Sequence, residues 1–346
     1  MGICDIEASL HQLLGNAQAS TPYTNFISSY LVPSLSSSDP FIFDIGICFL
    51  LSLAVYISSL VPVGSLKKRN YSYVDRLWSL TPVIYSLVYV ASLLANSPAI
   101  ATNSRTLYVS FAIFVWGSRL TYNFYRRDGY SLDTEDYRWE HVRRIISNAA
   151  LWEIFNFVFI SFFQMYLLLA LTFPLRLLYV SDNSSLASPP SLLDYVFILY
   201  LLLLVLVETV ADQQQFNYQT AKYAYIKAKK DNRANIDYRY EIGFVHTGLF
   251  SYSRHPNYFC EQLFWLSISI YSIYSSNCFA TESIAQNYLN SLYLVGSLTL
   301  IVLFHFSTML AENISSSKYP LYSLYASKTS RVVPFFKSKF DPSKLN

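Results

Sequence analysis

The sequence predicts an all-α, polytopic membrane protein of about seven transmembrane helices. Three observations carry that expectation. The 346 residues are 53% hydrophobic and only 14% charged, where a soluble domain carries roughly 25% charge. Seven apolar windows, at about 41–62, 77–96, 106–123, 153–173, 192–211, 258–275 and 289–310, approach the roughly 20 residues a helix needs to cross the hydrocarbon core. Let the first span run from outside to inside. Of the 25 Lys and Arg residues, all but Arg105 and Arg176 then fall on the inner side, the asymmetry described by the positive-inside rule.

Taken in order, residues 1–40 contain no Lys or Arg and so lack the charged flank of a signal peptide. They read as a lumenal segment followed by a retained first span. The second span opens on Asp75, Arg76 and Trp78, with Asp75 able to pair with Arg76. The third carries Arg119, Asn123 and Arg126 at helical spacing. Arg119 lies two turns up an apolar stretch, where positive-inside anchoring does not explain it. The fifth holds the clearest apolar run, Leu199 to Val207, and ends on Glu208 and Asp212, one turn apart, followed by three glutamines. The third and sixth windows give the weakest apolar signal. Pro256 suits the first turn of the sixth helix, which then lines up Asn257, Glu261 and Trp265 on one face. His305 and Glu312 share a face of the seventh. The expected organisation is a lumenal segment at 1–40, one membrane domain at 41–336 and a cytosolic tail at 337–346. The expected location is the endoplasmic reticulum membrane. Asn183 begins the sequon that falls outside and is open to glycosylation.

Several function classes drop out. Four scattered cysteines show neither zinc-site nor disulfide spacing, and no metal is expected. A net charge of +3 gives no reason to expect nucleic acid. There is no G-x-G-x-x-G, P-loop, histidine box or H-E-x-x-H. No internal repeat of the transporter kind is visible.

The segment from Gly248 to Glu261 carries the strongest chemical signal. Arg254 stands just before a helix start, beside free backbone N–H groups, an arrangement that suits a phosphate. The plainer reading is a helix cap with a snorkelling arginine. Glu208 and Asp212 repel one another unless one finds a partner or keeps its proton.

The Gly248–Glu261 stretch, with its S-R-H-P-N-Y-F-x-E core and Trp265 after it, resembles the C-terminal signature of the steroid 5-alpha-reductase superfamily. So do Val74 to Ser79, Trp116 to Leu120, Glu135 to Trp139, Ala211 to Gln214, and Lys318 to Tyr322 with Ser330. The resemblance covers roughly residues 70–336. It implies a seven-helix reductase that holds NADPH from the cytosolic side. Asp212, Asn257 and Glu261 align with cofactor-contacting positions, Arg254 and Tyr258 lie in the same segment, and Arg119, Glu208 and His255 complete the expected cofactor set. The implied reaction is hydride transfer to a polarised C=C bond of a lipid or sterol-like substrate. Tyr137, Tyr252 and Tyr258 are candidate proton donors, with Asp75 as a carboxylate of the catalytic set. The alternative is a membrane methyltransferase using S-adenosylmethionine. Such enzymes also carry R-H-P-x-Y but follow it with paired glutamates, where this chain has Glu312 alone. A scaffold or transporter explains the spans but not Arg254, Asn257 and Glu261 together.

Overall fold

The computed structural model describes residues 39–342, apart from 66, 97, 99–101, 185–187, 232–237 and 277–290. The expected lumenal segment, apart from its last two residues, lies outside the described residues, as does the end of the cytosolic tail. Regular structure among the described residues is helical, apart from one isolated bridge between Val63 and Lys68. The helices are α1 (Pro40–Leu60), α2 (Tyr73–Leu77), α3 (Thr81–Asn96), α4 (Arg105–Tyr125), α5 (Tyr137–Ile145), α6 (Ala149–Phe155), α7 (Gln164–Thr172), α8 (Leu175–Asp182), α9 (Leu192–Lys230), α10 (Tyr238–Glu241), α11 (Pro256–Ser275), α12 (Val295–Lys318) and α13 (Tyr322–Lys328). A π-helical segment, Asn156–Phe163, joins α6 to α7.

Local chemistry sets several of the starts. Asp39 caps α1 by accepting from the Phe41 N–H, and Pro40 takes the first helical position. Ser104 caps α4 and Asn148 caps α6 in the same way. Asp136 caps α5 and is clasped by Arg138. Burial works against the charge on Asp136, but the Arg138 guanidinium wins and holds the carboxyl below its ordinary range.

Among the described residues five helical stretches are long and apolar enough to cross a membrane: Pro40–Leu60, Tyr73–Asn96, Ala149–Asp182, Leu192–Lys230 and Val295–Lys318. The chain is thus a multi-pass helical membrane protein. The third and sixth apolar windows fall on helices, α4 and α11, of 21 and 20 residues. Their polar content keeps them out of that set: α4 carries Arg105, Arg119 and Asn123, and α11 carries Asn257, Glu261, Gln262 and several serines.

The chain divides into two compact units, one of residues 1–199 and 265–299, the other of 200–264 and 300–346. In the first unit α1, α3, α4, the π segment, α7 and α8 pack together. Trp116 and Trp265, both fully buried, meet edge to face with centroids 5.0 Å apart. A side chain at Gly117 would come within 2.7 Å of the Ser79 carbonyl oxygen, so α4 can approach the second span this closely only with glycine there. Arg105 and Arg176, the two cations set apart by the charge pattern, each have an aspartate. Arg105 forks onto Asp194 at 3.2 and 3.1 Å, and the Tyr271 hydroxyl donates to the same carboxylate at 2.6 Å. Arg176 donates to Asp39 at 3.0 Å.

In the second unit the chain after α12 folds back on the segment before α11. Ile242, Phe244, Tyr322, Tyr325 and Phe340 form its core. The Tyr325 hydroxyl donates to the Phe250 carbonyl at 2.5 Å, Ser253 to Val332 at 2.6 Å and the Ser338 N–H to Ser251 at 2.7 Å. Gly248 has φ +63°, a left-handed conformation that favours glycine. A side chain there would strike Gln214, whose amide oxygen accepts the Leu249 N–H at 2.9 Å.

His246 stacks edge-on against Phe244 and Phe340. Burial lowers its pKa below the ordinary histidine value. The unfolded chain therefore takes up a proton below about pH 6.5 that the folded chain refuses, and stability falls as pH drops through that value. Between pH 7.5 and 5.5 the purified protein should lose more stability than His246→Gln does. Equal pH dependence in thermal denaturation would remove His246 from this role.

Candidate functional site

The polar side chains of the second unit gather in two places. The first is the facing pair α9 and α11. There the Asn257 amide donates to Asp212 at 3.2 Å. Glu208 lies one turn before Asp212 on α9, and Glu261 lies one turn after Asn257 on α11. Glu208, Asp212 and Glu261 are each at most 5% exposed. Four residues of the expected cofactor set thus stand within one turn of a single contact, three buried carboxylates and a half-buried amide.

The second cluster centres on Glu312 of α12. Its carboxylate takes Arg254 Nε at 2.6 Å and Nη2 at 3.0 Å, His255 Nε2 at 3.0 Å and Arg331 Nε at 3.3 Å. Arg254 Nη1 donates to the Ala326 carbonyl at 2.6 Å and also to that of Thr329. The backbone N–H groups of Arg254 and His255 donate to Ser330 and Arg331. The expectation that Arg254 stands ready for a phosphate is therefore corrected. All three guanidinium nitrogens are engaged inside the protein, and the side chain is 7% exposed. The backbone N–H groups at 254 and 255, expected to be free, are bonded to the returning tail. The His255 ring also stacks on Tyr258, which in turn meets Phe304 at 4.6 Å.

Asp75, Arg119 and Tyr137 belong to the first unit. Asp75 does not pair with Arg76. It accepts the Trp139 indole N–H at 2.9 Å, while Arg76 turns to Asn70 and to the carbonyls of Ser131 and Thr134. Asp75 therefore bolts the Val74–Ser79 stretch to the Glu135–Trp139 stretch, a joint that the Asp136 N–H strengthens through Ser72. Arg119 is half-buried on α4. Tyr137 and Tyr252 are exposed, at 57% and 41%, whereas Tyr258 is half-buried. Gln214, which could simply have emerged into water, instead braces Leu249.

Sequence reasoning passed over two features. Spacing pairs Glu312 only with the face of His305, because its true partners Arg254, His255 and Arg331 stand 58, 57 and 19 positions away. Asp44, fully buried in α1, went unremarked, although it is the lone charged residue of the first apolar window.

Replacing one partner of the Glu312 cluster leaves buried charge uncompensated, which costs about 3–5 kcal/mol. Arg254→Ala and Glu312→Ala should each lower the thermal midpoint of the detergent-solubilised protein sharply. The double variant should lose much less than the sum. Additive losses in that cycle would mean that the contact is not a working ion pair.

The model of a family described as a protein of unknown function, DUF1295, matches residues 63–329. An uncharacterized protein of Schizosaccharomyces pombe is 31% identical over 330 residues, covering 94% of this chain and 87% of that protein. No solved structure matches. A match over most of the chain, together with a full-length relative, assigns the chain to the DUF1295 family, within the steroid 5-alpha-reductase-like superfamily.

Proposed function

We propose that this protein is a membrane reductase that transfers a hydride from NADPH to a polarised C=C bond of a lipid or sterol-like substrate. The observation that carries the reading is the buried row on α9 and α11, anchored where Asn257 donates to Asp212, in a chain of this superfamily. The row fits one half of the cofactor. Carboxylates repel phosphate, so Glu208, Asp212 and Glu261 suit the ribose hydroxyls and the carboxamide N–H instead. Phosphate recognition is not assigned to Arg254, whose guanidinium serves Glu312.

When bound, NADPH supplies the hydride. The row orients the nicotinamide end by hydrogen bonds and keeps water from it. A donor must meet the substrate carbonyl oxygen, where negative charge develops. Tyr258, half-buried beside His255, is favoured over the exposed Tyr137 and Tyr252. Asp75 is occupied by Trp139 and acts as a brace. In this reading α4 and α11 are the remaining two spans of seven. The N-terminus is lumenal, the C-terminus cytosolic, and the protein resides in the endoplasmic reticulum.

The cofactor test is thermal. A ligand that binds only the folded state stabilises it by about 2.7 kcal/mol at a hundredfold excess over its dissociation constant. NADPH should protect the solubilised protein and S-adenosylmethionine should not. The reverse result would move the chain to the methyltransferase alternative. Glu261→Gln should fold normally and bind NADPH about ten- to a hundredfold more weakly, the loss of one hydrogen bond to a charged group. Unchanged affinity would take the α9–α11 row out of the cofactor site.

Topology is tested separately. A glycosylation acceptor fused after residue 346 should stay unmodified while Asn183 is modified. Modification of the fused acceptor would invert the proposed orientation.

A further inference from the structure

The first unit holds buried polar groups that the proposed reaction does not use. Asp44 lies in α1 with no exposed surface, and neither of its carboxyl oxygens has a hydrogen-bond partner. The Tyr89 hydroxyl on α3 is also buried without a partner, the buried Tyr85 hydroxyl one turn away has only the weak acceptor Cys48 beside it, and both rings lie within electrostatic reach of Asp44. The Gln164 amide nitrogen at the start of α7 is likewise buried without a partner. Aromatic pairs fix its level. Phe41 faces Phe173, Phe49 faces Phe162 and Tyr56 faces Phe157, so α1 runs antiparallel to the π segment and α7. This register sets Gln164 beside Cys48, one turn from Asp44. A π-helical stretch immediately precedes Gln164, and π segments inside helices recur at functional sites.

An unpartnered ionisable group inside a membrane span is costly and is retained for use. The one nearby cation, Arg176, already donates to Asp39 through two nitrogens. The complement of the cluster follows from its chemistry. Two carboxyl oxygens ask for a donor, while two phenols and an amide N–H ask for an acceptor. A carbonyl could only accept and an ammonium could only donate. A hydroxyl does both. The outer face of α1 beside the cluster is apolar and exposed at Phe43, Phe49 and Leu50, so an occupant arriving from the bilayer must itself be largely apolar.

We propose that Asp44, Tyr85, Tyr89 and Gln164 form a binding site for the hydroxyl head of a neutral lipid alcohol, held between α1, α3 and α7. The site stands apart from the proposed hydride chemistry and does not depend on it.

The test uses the full chain in detergent and two photoactivatable probes, a long-chain alcohol and a sterol. Each carries a diazirine on its apolar body and is compared with its own methyl ether. At least one free alcohol should label peptides of α1, α3 or the 156–172 stretch at least tenfold more than its ether, and which one does so identifies the lipid source. The double variant Tyr85→Phe/Tyr89→Phe, which keeps both rings, should lose that labelling about tenfold. Asp44→Asn, which keeps a donor and an acceptor, should retain most of it. Equal labelling by alcohol and ether, labelling elsewhere only, or full labelling of the tyrosine double variant would each overturn the proposal. Any of these would leave the cluster as a seat for buried water.

Discussion

A polar group carried into hydrocarbon must find its partner inside the protein, and most of this structure can be read as a response to that constraint. Arg105 reaches Asp194, and Arg176 reaches Asp39. Asn156 donates to Ser59 across two helices. Arg254 and His255 converge on Glu312. Each contact joins stretches more than 50 residues apart, so the pairs that make burial affordable also fix which helices lie together.

The Glu312 contact has the widest consequences within its unit. By holding Arg254 it fixes the residues just before α11, and through the Ala326 and Thr329 carbonyls it also holds the chain after α12. The tail then adds its own bonds to Ser251, Ser253 and the backbone of residues 254 and 255. The start of α11, and with it the direction in which Asn257 and Glu261 project, is set by a carboxylate and a tail far away in sequence. An Arg-His-Pro string can therefore serve a site by bracing it, without touching a ligand.

The helices were legible in the sequence because membrane thickness imposes a length and apolar composition marks it. Among the described residues each expected window falls largely on helix, and the two weakest, α4 and α11, are the two whose polar residues lower their hydropathy. The Asn257–Glu261 face was legible too, since helical spacing is a local property. The partner of Arg254 was not. Nothing within a few residues of Glu312 distinguishes a hub from a stray carboxylate, and only the return of the tail brings its ligands together. The same limit explains the mistaken pairing of Asp75 with Arg76. Adjacent residues on a helix point in different directions, and the true partner, Trp139, comes from another motif. Asp44 differs from these. A lone acid in an apolar run was visible in the sequence and carried its own signal.

That difference separates two kinds of buried polar residue. Where partners are complete, as at Glu312, Asp194 and Asp75, substitution chiefly tests stability, and an added ligand would have to displace a bond already made. At Asp44 and Tyr89 hydrogen-bonding capacity is left over, so an incoming group gains bonds there without breaking any. In the α9–α11 row the Asn257 amide already donates to Asp212, so a ligand there would share a carboxylate that the protein itself uses. By this criterion the Asp44 cluster and the Glu312 cluster differ in what each leaves for an incoming group.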